Sequence, residues 1–152
     1  MEILTSENPI LHKPCDTLSF EESLKIGLKL REKLAEINKE SFNSLGLSAP
    51  QIGENARVFV TQFLPNSDIE IYINPEVISF STKKKFLHSE GCLSLPGDTF
   101  NAVRSLTYTI KYIQESGESI IHSYYYLQSA IIQHEYDHLE GRLIYRGISK
   151  TV

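Results

Sequence analysis

Basic residues are the scarcer sign in this 152-residue chain, with 15 Lys and Arg against 19 Asp and Glu, a formal net charge of −4. A protein held to nucleic acid by phosphate contacts needs a basic surface, so direct nucleic-acid binding is not expected. Cysteine is scarcer still. Cys15 and Cys92 are the only two, which gives no disulfide framework and suits a reducing compartment. No apolar run approaches the roughly 18 residues of a membrane span, so no membrane contact is expected. The opening MEILTSENPILHK carries Glu2 and Glu7 and lacks a basic start followed by an apolar stretch. No signal or transit peptide is expected from it. What remains is ordinary: 41% hydrophobic and 22% charged residues, in a length that suits one domain over residues 1–152.

Hydropathy periods place the elements. Ser19 to about Lys39 reads as a helix: Ser19 with Glu22 is a capping pair, and Ile26, Leu30, Leu34 and Ile37 recur at helical spacing. Leu24 and Leu28 widen its apolar face, so it is expected to pack on a sheet. Ser44 to Gly53 reads as a loop punctuated by Gly46, Pro50 and Gly53. Arg57–Phe63, Ile69–Ile73 and Glu76–Phe80 are strand candidates, and Lys83-Lys84-Lys85 is read as a solvated run. Ser105–Ile113 alternates with period two, with Leu106, Tyr108, Ile110 and Tyr112 on one face. A turn at Gln114–Gly117 returns the chain along Glu118–Tyr125. From Leu127 the period becomes helical, and Gly141 sits where a helix-ending glycine is placed. The fold class is α+β: mostly antiparallel sheet around a central second helix, with the N-terminal helix packed on the sheet.

That second helix carries the chemistry. Gln133-His134-Glu135-Tyr136-Asp137-His138 contains H-E-x-x-H, and residues four apart share a helix face. His134 and His138 therefore offer two imidazoles to one transition-metal ion, and Glu135 stands beside them as a general base. A catalytic site of this kind takes three protein ligands. Downstream of His138, Glu140 lies on another side of the helix and RLIYRGISKTV holds no His, Cys, Asp or Glu. The third ligand is expected upstream, among Cys92, Cys15, His12, His88 and His122 or scattered acids. Cys92 is preferred. Thiolate is a strong ligand for such ions, and Gly91 beside it lets the backbone approach closely. Cys15 is read as a structural thiol, and the three histidines as surface or packing residues.

Three separated motifs now stand together: Gly46-Leu47-Ser48-Ala49-Pro50-Gln51, Glu90-Gly91-Cys92-Leu93-Ser94 and Gln133–His138. In order and separation they resemble the peptide deformylases, and Ile3-Leu4, Pro9 and Leu11 fit that family's opening. The resemblance implies an enzyme that hydrolyses the N-formyl group from formyl-methionyl nascent chains and releases formate. It implies Cys92, His134 and His138 as metal ligands, Glu135 as general acid/base, and Gln51 with the Leu93 N–H as oxyanion donors. Fe2+ is the family's usual ion, and Zn2+, Ni2+ or Co2+ can take its place. The substrate peptide is expected to run extended past Leu45 and Gly46 as an added strand. Leu45, Leu127, Ala130 and Ile131 are expected to line the methionine pocket. Gln133 and Asp137 are expected to orient the ligands, and Glu90 to orient its loop through Arg104 or a backbone amide.

The departures are specific. Ser44 stands where the family commonly has glycine and Ser48 where it commonly has alanine, and either side chain is expected to narrow the groove. Tyr126 replaces a frequent glycine and, with Tyr124 and Tyr125, is read as strand-end packing. Fourteen residues follow His138, too few for the C-terminal helix by which many bacterial members dock on the ribosome. In this the chain resembles compact phage-encoded members working in a bacterial cytosol; Arg142, Arg146 and Lys150 leave a basic tail, read as solvated, with weak ribosome association as the alternative. Two other readings use the same motif. An ordinary metallopeptidase would take a downstream His or Glu, which is lacking; a structural metal site would take a fourth protein ligand and leave Glu135 idle.

Overall fold

The computed structural model describes residues 2–144; the expected roles of Arg146 and Lys150 lie outside the described residues. Helix α1, Phe20–Ile37, begins where Ser19 Oγ accepts the Glu22 N–H at 3.2 Å. A five-stranded antiparallel sheet follows in the order β1-β2-β3-β6-β7, built from Gly46–Ser48, Val58–Thr61, Glu70–Phe80, Thr107–Ile113 and Ser119–Tyr125. Between β3 and β6 the chain makes a separate antiparallel hairpin, β4 (Lys85–Cys92) and β5 (Leu95–Ser105). Helix α2, Tyr126–Leu139, comes directly after β7.

Period-two alternation in the strands sorts the core into two faces. Val58, Val60, Ile71 and Ile73 pack with Ile26, Leu30 and Leu34 of α1. Their alternate neighbours Phe59 and Tyr72, with Tyr108, Ile110, Tyr112 and Tyr124, pack with Ile132 and Leu139 of α2. The α1 face is aliphatic. The α2 face is rich in tyrosine, with Tyr72 stacked on Phe59 at 4.6 Å between centroids and bonded through its hydroxyl to Thr61 Oγ1 at 2.9 Å. The sheet thus lies between the two helices, and the H-E-x-x-H segment is held against its tyrosine face.

The structure departs from the expected elements in several places. Gly46–Ser48 is an edge strand, pairing Gly46 with Thr61 and Ser48 with Phe59, inside a segment read as loop. The two strand candidates around Asn74-Pro75 are one strand, β3, joined through a register shift between Ile73 and Glu76. Asn74 there has φ 47°, and Pro75, which has no N–H to offer, is tolerated at such a bulge. Leu28 is exposed, while Leu24 is partly buried against the core, so the apolar face of α1 is narrower than its leucines suggest. Lys83, Lys84 and Lys85 are exposed as expected. The β4–β5 hairpin has no counterpart in the periodicity.

Two backbone positions frame α2. Gly141 follows its last turn at φ 74°, and a Cβ there would lie 2.6 Å from the Lys13 backbone. Tyr126, its first residue, has φ 52°, a left-handed conformation that costs a non-glycine side chain about 1–3 kcal/mol. The residue is 63% exposed, and its ring lies 6.0 Å between centroids from that of Phe86 near the start of β4.

Candidate metal centre and active site

The helical repeat of α2 brings the His134 and His138 rings to 5.1 Å between centroids. Cys92 approaches from the end of β4, where the hairpin register slips after Gly91. Cys92 Sγ lies 3.5 Å from His138 Nε2, and one donor atom from each of Cys92, His134 and His138 falls within 4.8 Å of the others. Bonds of about 2.0–2.3 Å from thiolate and imidazole to a tetrahedral ion need that spacing, so the three donors fit a transition-metal ion. Cys15 is buried in the α2-face core, where burial pushes its thiol up to about 11, as a structural cysteine requires.

Glu90 organises the set. Its Oε1 lies 2.9 Å from His134 Nδ1, which leaves the Nε2 of that ring for a ligand role. Arg104 grips the same carboxylate twice, from Nε at 2.8 Å and Nη2 at 2.6 Å, and reaches Asp137 from Nη1 at 3.0 Å. Burial raises the Glu90 carboxyl, but the hydrogen bonds and charge of Arg104 and His134 outweigh it and hold the group well below the usual carboxylate range. His138 is treated differently. Its Nδ1 is buried without a hydrogen-bond partner among the described residues, and burial with the nearby His134 and Arg104 charges pushes its pKa down. His134 is pushed up: burial alone lowers it, but Cys92 and Glu90 prevail.

Of the two partners expected for Glu90, Arg104 is therefore the one present, and Asp137 is bonded to that arginine rather than to a histidine. Gln133 does not touch a ligand. Its side chain accepts the Ser105 N–H at 3.2 Å and donates to the Ser105 carbonyl at 3.0 Å, which pins the end of β5 to α2. His88, read as a surface or packing residue, lines the cavity and bonds Glu90 Oε2 through Nδ1 at 2.9 Å. Its position two before Glu90, on the same face of a strand, was the available signal.

A cavity of about 570 Å³ opens beside Cys92 and His134, lined among others by Leu45, Gly46, Gln51, Leu93, Ile131 and Glu135. Leu127 and Ala130 do not line it, contrary to expectation. Leu127 lies one turn before Ile131 and is 45% exposed, whereas Ala130 faces the buried side of α2. Gly46 is in close contact with Glu135: a Cβ there would lie 2.7 Å from Oε2. Gln51 is buried, and its amide is oriented at both ends. Oε1 accepts the Ser48 N–H at 2.9 Å, and Nε2 points to Ser94 Oγ at 3.2 Å and Cys92 Sγ at 3.7 Å. Ser44 Oγ donates to the Gly46 carbonyl at 2.8 Å on the free edge of β1. Ser48 does not enter the groove as expected; it is fully buried and its hydroxyl meets Glu135. Burial raises the Glu135 pKa, with the His134 charge and the Ser48 hydrogen bond pulling the other way.

Fold and site together define an α+β metal-dependent hydrolase, with a Cys/His/His cluster able to hold an ion and a glutamate beside it. A sequence profile described as polypeptide deformylase matches residues 1–152. The chain belongs to that family, whose members remove N-formyl groups from nascent polypeptides. It is 33% identical over 139 residues to peptide deformylase 1 of Clostridium perfringens, covering 91% of this chain and 90% of that one. It is 39% identical over 101 residues to the peptide deformylase of Pseudothermotoga lettingae, covering 66% of this chain and 57% of the relative's length. The crystal structure of peptide deformylase from Thermotoga maritima superposes with a TM-score of 0.84 at 30% identity, covering 95% of both chains.

Proposed function

We propose that this chain hydrolyses the N-formyl group of formyl-methionyl nascent polypeptides, with Cys92, His134 and His138 holding the ion. The observation that carries this reading is the clustering of those three donors within 4.8 Å beside one cavity that Cys92, His134, Glu135, Gln51 and the edge-strand residue Gly46 line together. Fe2+ is the expected ion, with Zn2+, Ni2+ or Co2+ able to occupy the same donor set. When bound, such an ion supplies Lewis-acid polarisation and acidifies water towards neutrality.

The residues do the rest. The peptide lies extended against β1, meeting the Gly46 backbone as an added strand. Its first side chain occupies the part of the cavity between Leu45 and Ile131. Glu135 takes a proton from the attacking water as its oxygen bonds the formyl carbon. A pKa raised by burial suits a group that accepts and returns a proton near neutral pH. The Gln51 Nε2 amide and the Leu93 N–H donate to the substrate oxygen as it becomes an oxyanion; one such donor is worth about 3 kcal/mol in the transition state. Glu135 then passes the proton to the amine as the C–N bond breaks, and formate and a free N-terminus leave.

No helix among the described residues is long and apolar enough to cross a membrane, and the reading places the enzyme in a bacterial cytosol, where formylated chains emerge. Weak ribosome contact through the basic C-terminal end belongs to the same reading; Arg142, whose side chain is exposed and paired with Asp137, is the described part of that end. Anaerobic purification with metal analysis, coupled to a formate-release assay on a formyl-Met-Ala peptide, tests the proposal. Bound ion with formate release is the expected result; cleavage of unformylated peptides at internal bonds without formate release would replace it with a peptidase.

A further inference from the structure

Ser48 is fully buried on β1, and its side-chain oxygen lies 2.6 Å from Glu135 Oε1 and 3.2 Å from the Glu135 carbonyl. Its backbone N–H donates to Gln51 Oε1 at 2.9 Å. One residue therefore grips the two side chains to which the proposed reaction assigns proton transfer and oxyanion binding. The grips differ in kind. Any residue at this position supplies the N–H that orients Gln51, whereas only a hydroxyl supplies the donor to Glu135. No other side-chain hydrogen bond to the Glu135 carboxylate is present among the described residues. The second oxygen, Oε2, lies against Gly46 on the strand edge where the peptide is proposed to run.

We infer that Ser48 is a positioning residue that anchors Oε1 of Glu135 and leaves Oε2 as the oxygen that carries the proton. A buried carboxylate with one oxygen tied keeps a single rotamer, so the working oxygen stays aimed at the cavity rather than exchanging places with its twin. The alternative role for the side chain, narrowing the substrate groove, does not fit a residue that is wholly buried and absent from the cavity wall.

This inference rests on the deformylase reading for its kinetic arm, and a structural arm stands apart from it. In Ser48→Ala the Gln51 bond is kept, because it comes from the backbone, and only the carboxylate anchor is lost. Expected is a fall in kcat of about tenfold, the scale of one hydrogen bond to a charged group, with KM and metal content unchanged. Ser48→Thr, which keeps a hydroxyl on the same carbon, is expected to hold kcat within about threefold of the wild type. Crystals of metal-free Ser48→Ala are expected to show the Glu135 carboxylate in a second conformation with Gln51 unmoved. A lower KM at wild-type kcat would assign Ser48 to the groove and overturn the inference. Wild-type kinetics with an unmoved Glu135 would overturn it as well. Absence of formate release by the wild-type protein would instead overturn the deformylase reading, and the Glu135 conformation would still decide the anchor.

Discussion

The two sheets of this molecule contribute to the site by opposite means. At its centre the five-stranded sheet is covered on both faces, and all four residues of β2 are buried. It is held by apolar and aromatic packing against α1 and α2. The β4–β5 hairpin is mostly exposed: within β4 only Glu90 is buried. Yet that hairpin brings Cys92, and Glu90 behind His134. It is attached to α2 through polar groups, namely Arg104 with Asp137, Glu90 with His134, and Ser105 with Gln133 and Ser129. Apolar packing therefore holds the sheet, while the geometry of the candidate metal centre depends on a few buried hydrogen bonds. Burying Arg104 and Glu90 has a large desolvation cost, and the pair is tolerable because each satisfies the other.

The sharpest way to break this division is to cut the attachment. Arg104→Met leaves Glu90 buried without its main partner, and loss of one member of a buried pair costs about 3–5 kcal/mol. Beyond that loss, ion affinity is expected to drop by about 10–100-fold, the usual effect of disturbing the group behind a histidine ligand. Competition with a chelator, read alongside thermal unfolding, checks both. The counterpart in the sheet is Leu30→Ala, a fully buried α1 residue. It should lose about 2–5 kcal/mol of stability, with ion affinity per folded molecule unchanged. If Leu30→Ala weakened ion binding as much as Arg104→Met, the two regions would not be separable in this way.

Acid and alkali separate them again. The folded pKa of Glu90 lies below its ordinary 4.5, so its stabilisation is fully present above that pH and is lost as pH falls towards the folded value. Glu90→Gln should flatten that acid limb. Cys15, in the sheet core, is raised from 9.0 to about 11. The unfolded chain then gives up its proton first, so stability is unaffected below pH 9.0 and declines between 9.0 and about 11. Cys15→Ala should remove that decline without touching the acid limb; urea unfolding at a series of pH values measures both. The smallest effect is expected at the join of β7 and α2. Tyr126→Gly relieves a left-handed side chain and should leave stability within about 1 kcal/mol of wild type, on the favourable side. A large loss there would mean that the exposed ring has a packing role.

The same division explains what the residues announce before folding. Helices α1 and α2 and strands β6 and β7 each present one face to the core, so apolar residues recur at 3.6 or 2 and are readable. The hairpin has few buried side chains, and Gly91, Pro96 and Gly97 interrupt it, so no period marks it. The clustering of the three donors was nonetheless legible, because H-E-x-x-H is local to one helix and the lack of later donors pointed back to Cys92. The partners of those donors were less so. Sequence offers Arg104 as one of two partners for Glu90 but does not show that the carboxylate also meets His134 and His88, which depends on how the hairpin is folded and lies on α2. Leu127 has the right helix face and the wrong height. Ser48 is legible only as a departure from the family, since its contact with Glu135 spans 87 positions.

The most direct test of the central claim is formate release by Glu135→Gln, measured on protein whose metal content is determined in the same preparation. Cys92, His134 and His138 are intact in that variant, so the ion should be retained at wild-type occupancy while formate release from formyl-Met-Ala falls to background. Release at the wild-type rate with the ion in place would contradict the assignment of Glu135 as the proton carrier, and with it the mechanism drawn from this cavity.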